Sequence, residues 1–154
     1  MLRVEGLAIA FGDLTVLRDL TFQVDRGDSL AIIGPNGAGK TVLFKALIGA
    51  IPFVGQIQWG PGVRIGYVPQ KLDLERDLPI TGLDLLSAKR RVVAGDELTV
   101  LSISHDLSVV YRSASNVLCL SRDRSCIGPP RKILTPALLE EIYGTEVEFH
   151  VHGA

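Results

Sequence analysis

Gly34, Gly39, Lys40 and Thr41 stand in the order Gly-x-x-x-x-Gly-Lys-Thr, inside the stretch GPNGAGKT that also holds Pro35, Asn36, Gly37 and Ala38. Residue types and spacing together match a phosphate-binding loop in full. The glycines let backbone N–H groups turn inward around phosphate oxygens. A helix that starts near Gly39 adds the positive end of its dipole to the same anion. Lys40 can reach the β- and γ-phosphates of a nucleotide as a point charge, and the Thr41 hydroxyl can ligate Mg²⁺.

Such a loop needs a buried strand before it and a helix after it, and both are readable. LAIIG is a short continuous apolar run, the mark of a strand covered on both faces. KTVLFKALIGA has apolar residues at helical spacing in Val42, Leu43, Ala46, Leu47 and Ala50, with Gly49 and Pro52 bracketing its end. Upstream, LRVEGLAIAF and TVLRDLTFQV alternate apolar and polar residues and are expected to pair through a turn at Gly12-Asp13, with DRGDS as the next turn. Downstream, GQIQWG and RIGYVPQ read as strands, TGLDLLSAKRR as a helix, LTVLSIS as a buried strand, and HDLSVVYRSA as a short helix. NVLCLSRDRSCIG reads as a hairpin and TEVEFHV as a last strand. TPALLEEIYG carries explicit helix signals: Thr135 as N-cap, Pro136 at the first helical position and Gly144 as the stop. Strands alternating with helices give an α/β domain with a mainly parallel sheet and N-terminal antiparallel additions.

At 154 residues, 47% hydrophobic and 21% charged, the chain is the size and composition of one globular domain spanning 1–154. A net charge of −1 does not suggest nucleic acid as partner. No apolar run approaches the ~20 residues of a membrane helix, and MLRVEGLAIAFGD is not a signal peptide, so a cytoplasmic protein is expected. Cys119 and Cys126 are spaced to face each other across a hairpin and are expected as free structural thiols. His150 and His152 alternate on one strand side, which permits chelation but reads first as a solvated strand end.

GPNGAGKT after FGDLTVLRDLTFQVDRGDSLAIIG resembles the nucleotide-binding subunit of ABC transporters. The resemblance implies ATP and Mg²⁺ as ligands and gives roles to three further residues. Phe11, in AFGDLTVL, matches the aromatic that stacks on adenine; as a structural residue it would be an edge-strand aromatic. Gln70, in IGYVPQ, matches the glutamine that helps hold Mg²⁺ and couples to the membrane subunit. His105, in LSISHDL, matches the switch histidine at the γ-phosphate and is the catalytic candidate. YVPQKLDLERDLPIT and VLCLSRDRSCIGPPRKILTPALLEEIYG further resemble the ATPases of zinc, manganese or iron-type metal uptake transporters. That likeness implies a homodimer docked on a membrane permease at the inner face of the plasma membrane, hydrolysing ATP to drive uptake.

The same family carries, between its glutamine and histidine, a helical subdomain, an LSGGQ signature, a Walker B strand ending in Asp-Glu, and a D-loop. Here only Lys71 to Ser104 separates Gln70 from His105, and none of these elements is readable. The pattern is that of an internal deletion with its join between Leu86 and Glu97. Asp96-Glu97 precedes the strand LTVLSIS where Walker B acids follow one, which puts the pair about 25 Å of strand away from His105. A chain without signature and Walker B is expected to bind nucleotide better than it hydrolyses it, to dimerise poorly, and to expose an edge or apolar patch. The rival expectation is a non-enzymatic remnant with no transport role. A third, a small P-loop kinase, is disfavoured by the placement of VPQ and ISHD.

Overall fold

Strands β1 (Leu2–Phe11) and β2 (Leu14–Val24) form the expected hairpin, paired from Leu2↔Val24 to Phe11↔Leu14 around the Gly12-Asp13 turn. The computed structural model describes residues 1–63, 65, 98–122 and 124–144. Alternation alone would send half of this hairpin's apolar residues to the wrong face. Val4 and Leu7 are three apart, as are Leu17 and Leu20, and a strand has period two. The register shifts between Val4 and Leu7, at Gly6 (φ 56°), and again between Leu7 and Ile9, opposite Asp19 (φ 44°), both left-handed backbone. These irregularities restore the phase, so Leu2, Val4, Leu7 and Ile9 are all buried together with Leu17, Leu20, Phe22 and Val24. β4 (Val54–Trp59) adds to the other edge of β1, giving an antiparallel sheet in the order β2-β1-β4.

The second sheet is built on β3 (Ser29–Ile33), which is buried along its whole length. β5 (Val100–Ile103) and β6 (Asn116–Leu120) run parallel to it on either side, and β7 (Ser125–Gly128) closes the order β5-β3-β6-β7 antiparallel to β6. The mainly parallel sheet with antiparallel N-terminal strands is thus present. Side chains of β3 and β6 divide by parity. Leu30, Ile32, Leu118 and Leu120 point into a core shared with the antiparallel sheet and with helix α1 (Lys40–Leu47). Ala31, Ile33, Val117 and Cys119 point into a second core. Helices α2 (Leu107–Ser113), α3 (Pro130–Ile133) and α4 (Pro136–Tyr143) contribute Val110, Ile133, Leu139 and Tyr143 to that second core.

The signals read for α4 all hold. Thr135 Oγ1 accepts from the Leu138 amide at 3.2 Å, Pro136 opens the helix, and Gly144 ends it at φ 69°. The Cys119 and Cys126 pair is opposed across β6–β7, with both thiols free. One expectation is corrected: β5 is not a fully buried strand. Only Val100 is buried and Leu101 to Ile103 are half-buried. Among the described residues β5 pairs with β3 alone, so its outer side lacks the covering neighbour that β3 has. The one-turn helix α3 was not foreseen. Strand RIGYVPQ (apart from Ile65), helix TGLDLLSAKRR, strand TEVEFHV, Gln70, Asp96, Glu97, His150, His152 and the join expected between Leu86 and Glu97 lie outside the described residues. Among the described residues no helix is long and apolar enough to cross a membrane.

Candidate functional site

The phosphate loop springs from the C-terminal end of β3, where the parallel sheet opens. Its shape rests on three glycines with positive φ: Gly34 at 150°, Gly37 at 83° and Gly39 at 91°. Two of them are fixed by packing as well. A Cβ on Gly34 would collide with the Leu120 carbonyl at the end of β6, and one on Gly39 would lie 2.9 Å from Leu17 Cδ2 and 3.0 Å from Val16 Cγ1. Gly37 has open space around it and needs glycine for its backbone alone. The loop is therefore wedged between β6 and β2, with its tip outward.

Lys40 is the first residue of α1 and the charged side chain most deeply placed in the described structure, at 8% exposure. Its Nζ donates to the Gly34 carbonyl at 2.6 Å and to the Pro35 carbonyl at 2.8 Å. The ammonium is thus folded back over its own loop and bridges the two ends of the cradle. Burial lowers its pKa from the ordinary lysine value, because a desolvated cation is disfavoured. An anion arriving at the loop would relieve that cost. The Ala38 amide donates to the Pro35 carbonyl at 3.2 Å and the Leu43 amide to the Gly39 carbonyl at 2.8 Å. Among the described residues none accepts from the amides of Gly37, Gly39, Lys40 or Thr41. A ring of amides at a helix N-terminus beside a buried ammonium is a site for phosphate oxygens. Thr41, exposed on the first turn of α1, adds a hydroxyl of the kind that suits a hard cation such as Mg²⁺.

The remaining foreseen residues fall into two groups. Phe11 is 50% exposed at the β1–β2 tip, opposite Leu14, which is 66% exposed. Leu14 lies two residues before Val16, about 7 Å along the strand, and Val16 walls Gly39. An exposed aromatic thus stands on the hairpin that flanks the loop. His105 is exposed in the middle of the three-residue link Ser104–Asp106 between β5 and α2. Ser104 donates its amide to the Ile32 carbonyl at 3.2 Å, so this link leaves the sheet at the same end as the loop. Asp106 caps α2, its Oδ1 accepting from the amides of Ser108 at 2.9 Å and Val109 at 3.2 Å. At the other end of β5, Thr99 Oγ1 accepts from the Gly27 amide at 3.0 Å, so the strand enters beside the β2–β3 turn and leaves beside the loop.

One residue of the site was not foreseen. The Gly34 amide donates to the Tyr143 hydroxyl at 3.1 Å. The two residues are 109 positions apart, and no local pattern announces the contact. Burial raises the Tyr143 pKa above the ordinary phenol value of 10, so at neutral pH the ring carries its hydroxyl proton.

These features agree with what the chain resembles among known proteins. The zinc import ATP-binding protein ZnuC of Jannaschia sp. (strain CCS1) is 41% identical over 76% of this chain and 49% of its own length. That of Chromohalobacter salexigens is 27% identical in an alignment covering 96% of this chain and 91% of the relative. The chain spans about half the length of the first of these relatives. In three dimensions, an ATP-binding subunit of an ABC transporter superposes with a TM-score of 0.66 at 20% identity, covering 94% of this chain and 98% of that one. The ADP conformation of another ATP-binding cassette gives 0.69 at 16% identity, covering 95% and 99%. The ABC transporter family model matches residues 17–117, a stretch that holds the whole phosphate loop and His105. The chain belongs to the ABC transporter family of ATP-binding proteins.

Proposed function

We propose that this chain is the ATP-binding subunit of a metal-ion importer, with zinc as the metal its relatives' names favour. The observation that carries the reading is the phosphate loop itself, with the buried Lys40 bridging Gly34 and Pro35 over a ring of open amides. On nucleotide arrival the Lys40 ammonium exchanges two carbonyl oxygens for phosphate oxygens, a stronger charge-assisted partner. Residues Gly34, Pro35, Asn36, Gly37, Ala38 and Gly39 shape the cradle, and the helix α1 dipole points into it. Phe11 would offer its face to adenine, and Thr41 and Gln70 would hold Mg²⁺. A divalent cation held there would offset phosphate charge. His105, leaving the sheet beside the loop, hydrogen-bonds the γ-phosphate.

Turnover is a separate matter. Phosphoryl transfer to water needs a carboxylate that orients the water, and no Walker B acid follows a described strand. An internal deletion with its join between Leu86 and Glu97 would account for this. Its support is that the match to the Chromohalobacter salexigens protein extends over 219 positions whereas this chain has 154 residues. The half-buried β5 supports it too, because a strand lost from its outer side would leave that side uncovered. We therefore read the chain as a nucleotide binder with slow or no hydrolysis. In a working transporter it would dock as a homodimer on a membrane permease at the cytoplasmic face of the plasma membrane. The same half-buried edge favours a second reading, a remnant that binds nucleotide and has no transport role.

The test is fluorescent ATP binding with Mg²⁺ together with phosphate release, on the wild type and Lys40→Ala. Binding that disappears with Lys40, without phosphate release above the variant's, is expected. Lys40-dependent phosphate release would overturn the claim of impaired hydrolysis and point first to Asp96 or Glu97 as the missing carboxylate.

A further inference from the structure

We propose that Tyr143 is a positioning residue for the phosphate loop: its hydroxyl, delivered by the C-terminal helix α4, holds the Gly34 peptide from which the cradle turns. The inference rests on the nucleotide-binding reading above. Gly34 sits where the β3–β6 ladder ends, since Ile33↔Cys119 is the last pair. Beyond that pair the ladder offers the Gly34 amide no strand carbonyl, and a half-buried amide needs a partner. Tyr143 supplies it at 3.1 Å, and Lys40 Nζ meets the carbonyl of the same residue at 2.6 Å. Both peptide groups of Gly34 are thus held by side chains, while the Leu120 carbonyl blocks the residue from behind. When Lys40 turns to phosphate, the Tyr143 bond is the side-chain tie that keeps this corner in place.

Tyr143 is itself well anchored. It is the last residue of α4, which Thr135 caps and Gly144 stops, with the Gly144 amide bonded to the Glu140 carbonyl at 2.8 Å. Leu139, one turn earlier, is fully buried, and the Tyr143 ring packs on the second core beside Cys119 and Ile33. A ring held this firmly can impose a position on a loop that also has to let a lysine move. The segment 130–144 thereby acquires a role at the site although it lies outside the region 17–117 matched by the family model.

The experiment is calorimetric titration of the full chain with Mg–ATP and Mg–ADP, comparing wild type, Tyr143→Phe and Lys40→Ala, with thermal unfolding of each. Tyr143→Phe keeps the ring and loses the one hydrogen bond, so a fall of about fivefold in affinity for both nucleotides is expected. A purely structural tyrosine would lower the unfolding midpoint and leave the affinity of the folded protein unchanged. Lys40→Ala losing binding while Tyr143→Phe binds as the wild type would overturn this inference alone. Lys40→Ala binding as the wild type would overturn the nucleotide reading and this one with it. A second measurement needs no variant: the Gly34 amide should exchange with solvent deuterium far more slowly than that of Gly37. Equal rates would also overturn the proposal.

Discussion

Lys40 and His105 leave the same end of one parallel sheet, yet the structure treats them oppositely. Lys40 is enclosed, its ammonium bonded to two carbonyls, and its loop is wedged between Leu120 on one side and Val16 and Leu17 on the other. His105 is exposed on a link whose backbone is held by Ser104 and Asp106 and whose side chain stands in solvent. The proposed grip on phosphate is therefore part of the core packing, whereas the residue that would sense the γ-phosphate hangs from its edge. The contrast follows from the strands that carry them. β3 is buried from end to end; β5 has one partner among the described residues and is half-buried. A packed strand can aim its following loop within a fraction of an ångström, and a half-covered strand aims less firmly.

The largest effect that would break this contrast is at Gly34. Gly34→Ala places a methyl group against the Leu120 carbonyl, a backbone atom that cannot rotate away. A loss of about 3 kcal/mol is expected, at the upper end for overpacking. Gly37→Ala meets open space and pays only for left-handed backbone, about 1 kcal/mol. Urea unfolding followed by the fluorescence of Trp59, the single tryptophan, measures both. Equal losses would mean that the loop is held by its own conformation and not by β6.

Next in size is the difference in nucleotide affinity between the two side chains. Lys40→Ala removes two charge-assisted contacts worth about 1.5 kcal/mol each, or roughly 100-fold in affinity for Mg–ATP. His105→Ala removes at most one, about tenfold, with stability unchanged because the side chain is exposed. Titration with Mg–ATP and Mg–ADP separates them, since only the triphosphate should register His105. A His105→Ala loss as large as that of Lys40→Ala would show that the exposed histidine is drawn into a closed site on binding.

A smaller pair of effects sharpens the comparison at the level of helices. Asp106 caps α2 beside His105, and Thr135 caps α4 above Tyr143. Either residue changed to alanine costs about 1 kcal/mol of stability by loss of an N-cap. Asp106→Ala should leave ADP affinity alone, while Thr135→Ala should weaken it by loosening the helix that holds Gly34. Unfolding midpoints and ADP titrations together test this; an identical response of ADP affinity to both variants would remove the distinction between the two helices.

Much of this arrangement could be read before the structure. The cradle, the strand before it and the helix after it are local in sequence, and the three signals of α4 lie within ten residues. The parity breaks between Val4 and Leu7 and between Leu17 and Leu20 are visible in the sequence, but alternation read loosely passes over them, and the register shifts at Gly6 and at Asp19 are what make them tolerable. What could not be read is contact at long range. The hydroxyl on the Gly34 amide comes from 109 residues away, and the Leu120 carbonyl that makes Gly34 obligatory belongs to a backbone shared by all residues. The exposure of β5 was misjudged for a similar reason. An apolar run reports what a strand was suited to, not how many neighbours it has.

The smallest expected effect concerns pH and tests whether the Tyr143 oxygen that accepts from the Gly34 amide is buried. Burial and the neighbouring Cys119 raise the Tyr143 pKa above 10 in the folded state, against the opposing pull of the Gly34 amide. A raised pKa means that the folded protein keeps its proton where the unfolded chain has begun to lose it. The stabilisation is therefore fully present below pH 10 and declines as pH rises through the folded-state value. Cys119, pushed up by burial and by Cys126, adds a decline of the same sign that starts near pH 9. Lys40, lowered by burial, acts in the opposite direction. Tyr143→Phe leaves both of those groups in place, so subtracting its stability from that of the wild type leaves the phenol and its coupling to Cys119. That difference should be flat from pH 7 to about pH 9.5 and shrink above pH 10 in urea unfolding. A difference that stays flat to pH 11 would mean that the hydroxyl ionises as readily in the folded protein as in the unfolded chain, and that the bond to Gly34 is made to solvent-exposed oxygen and not to a buried one.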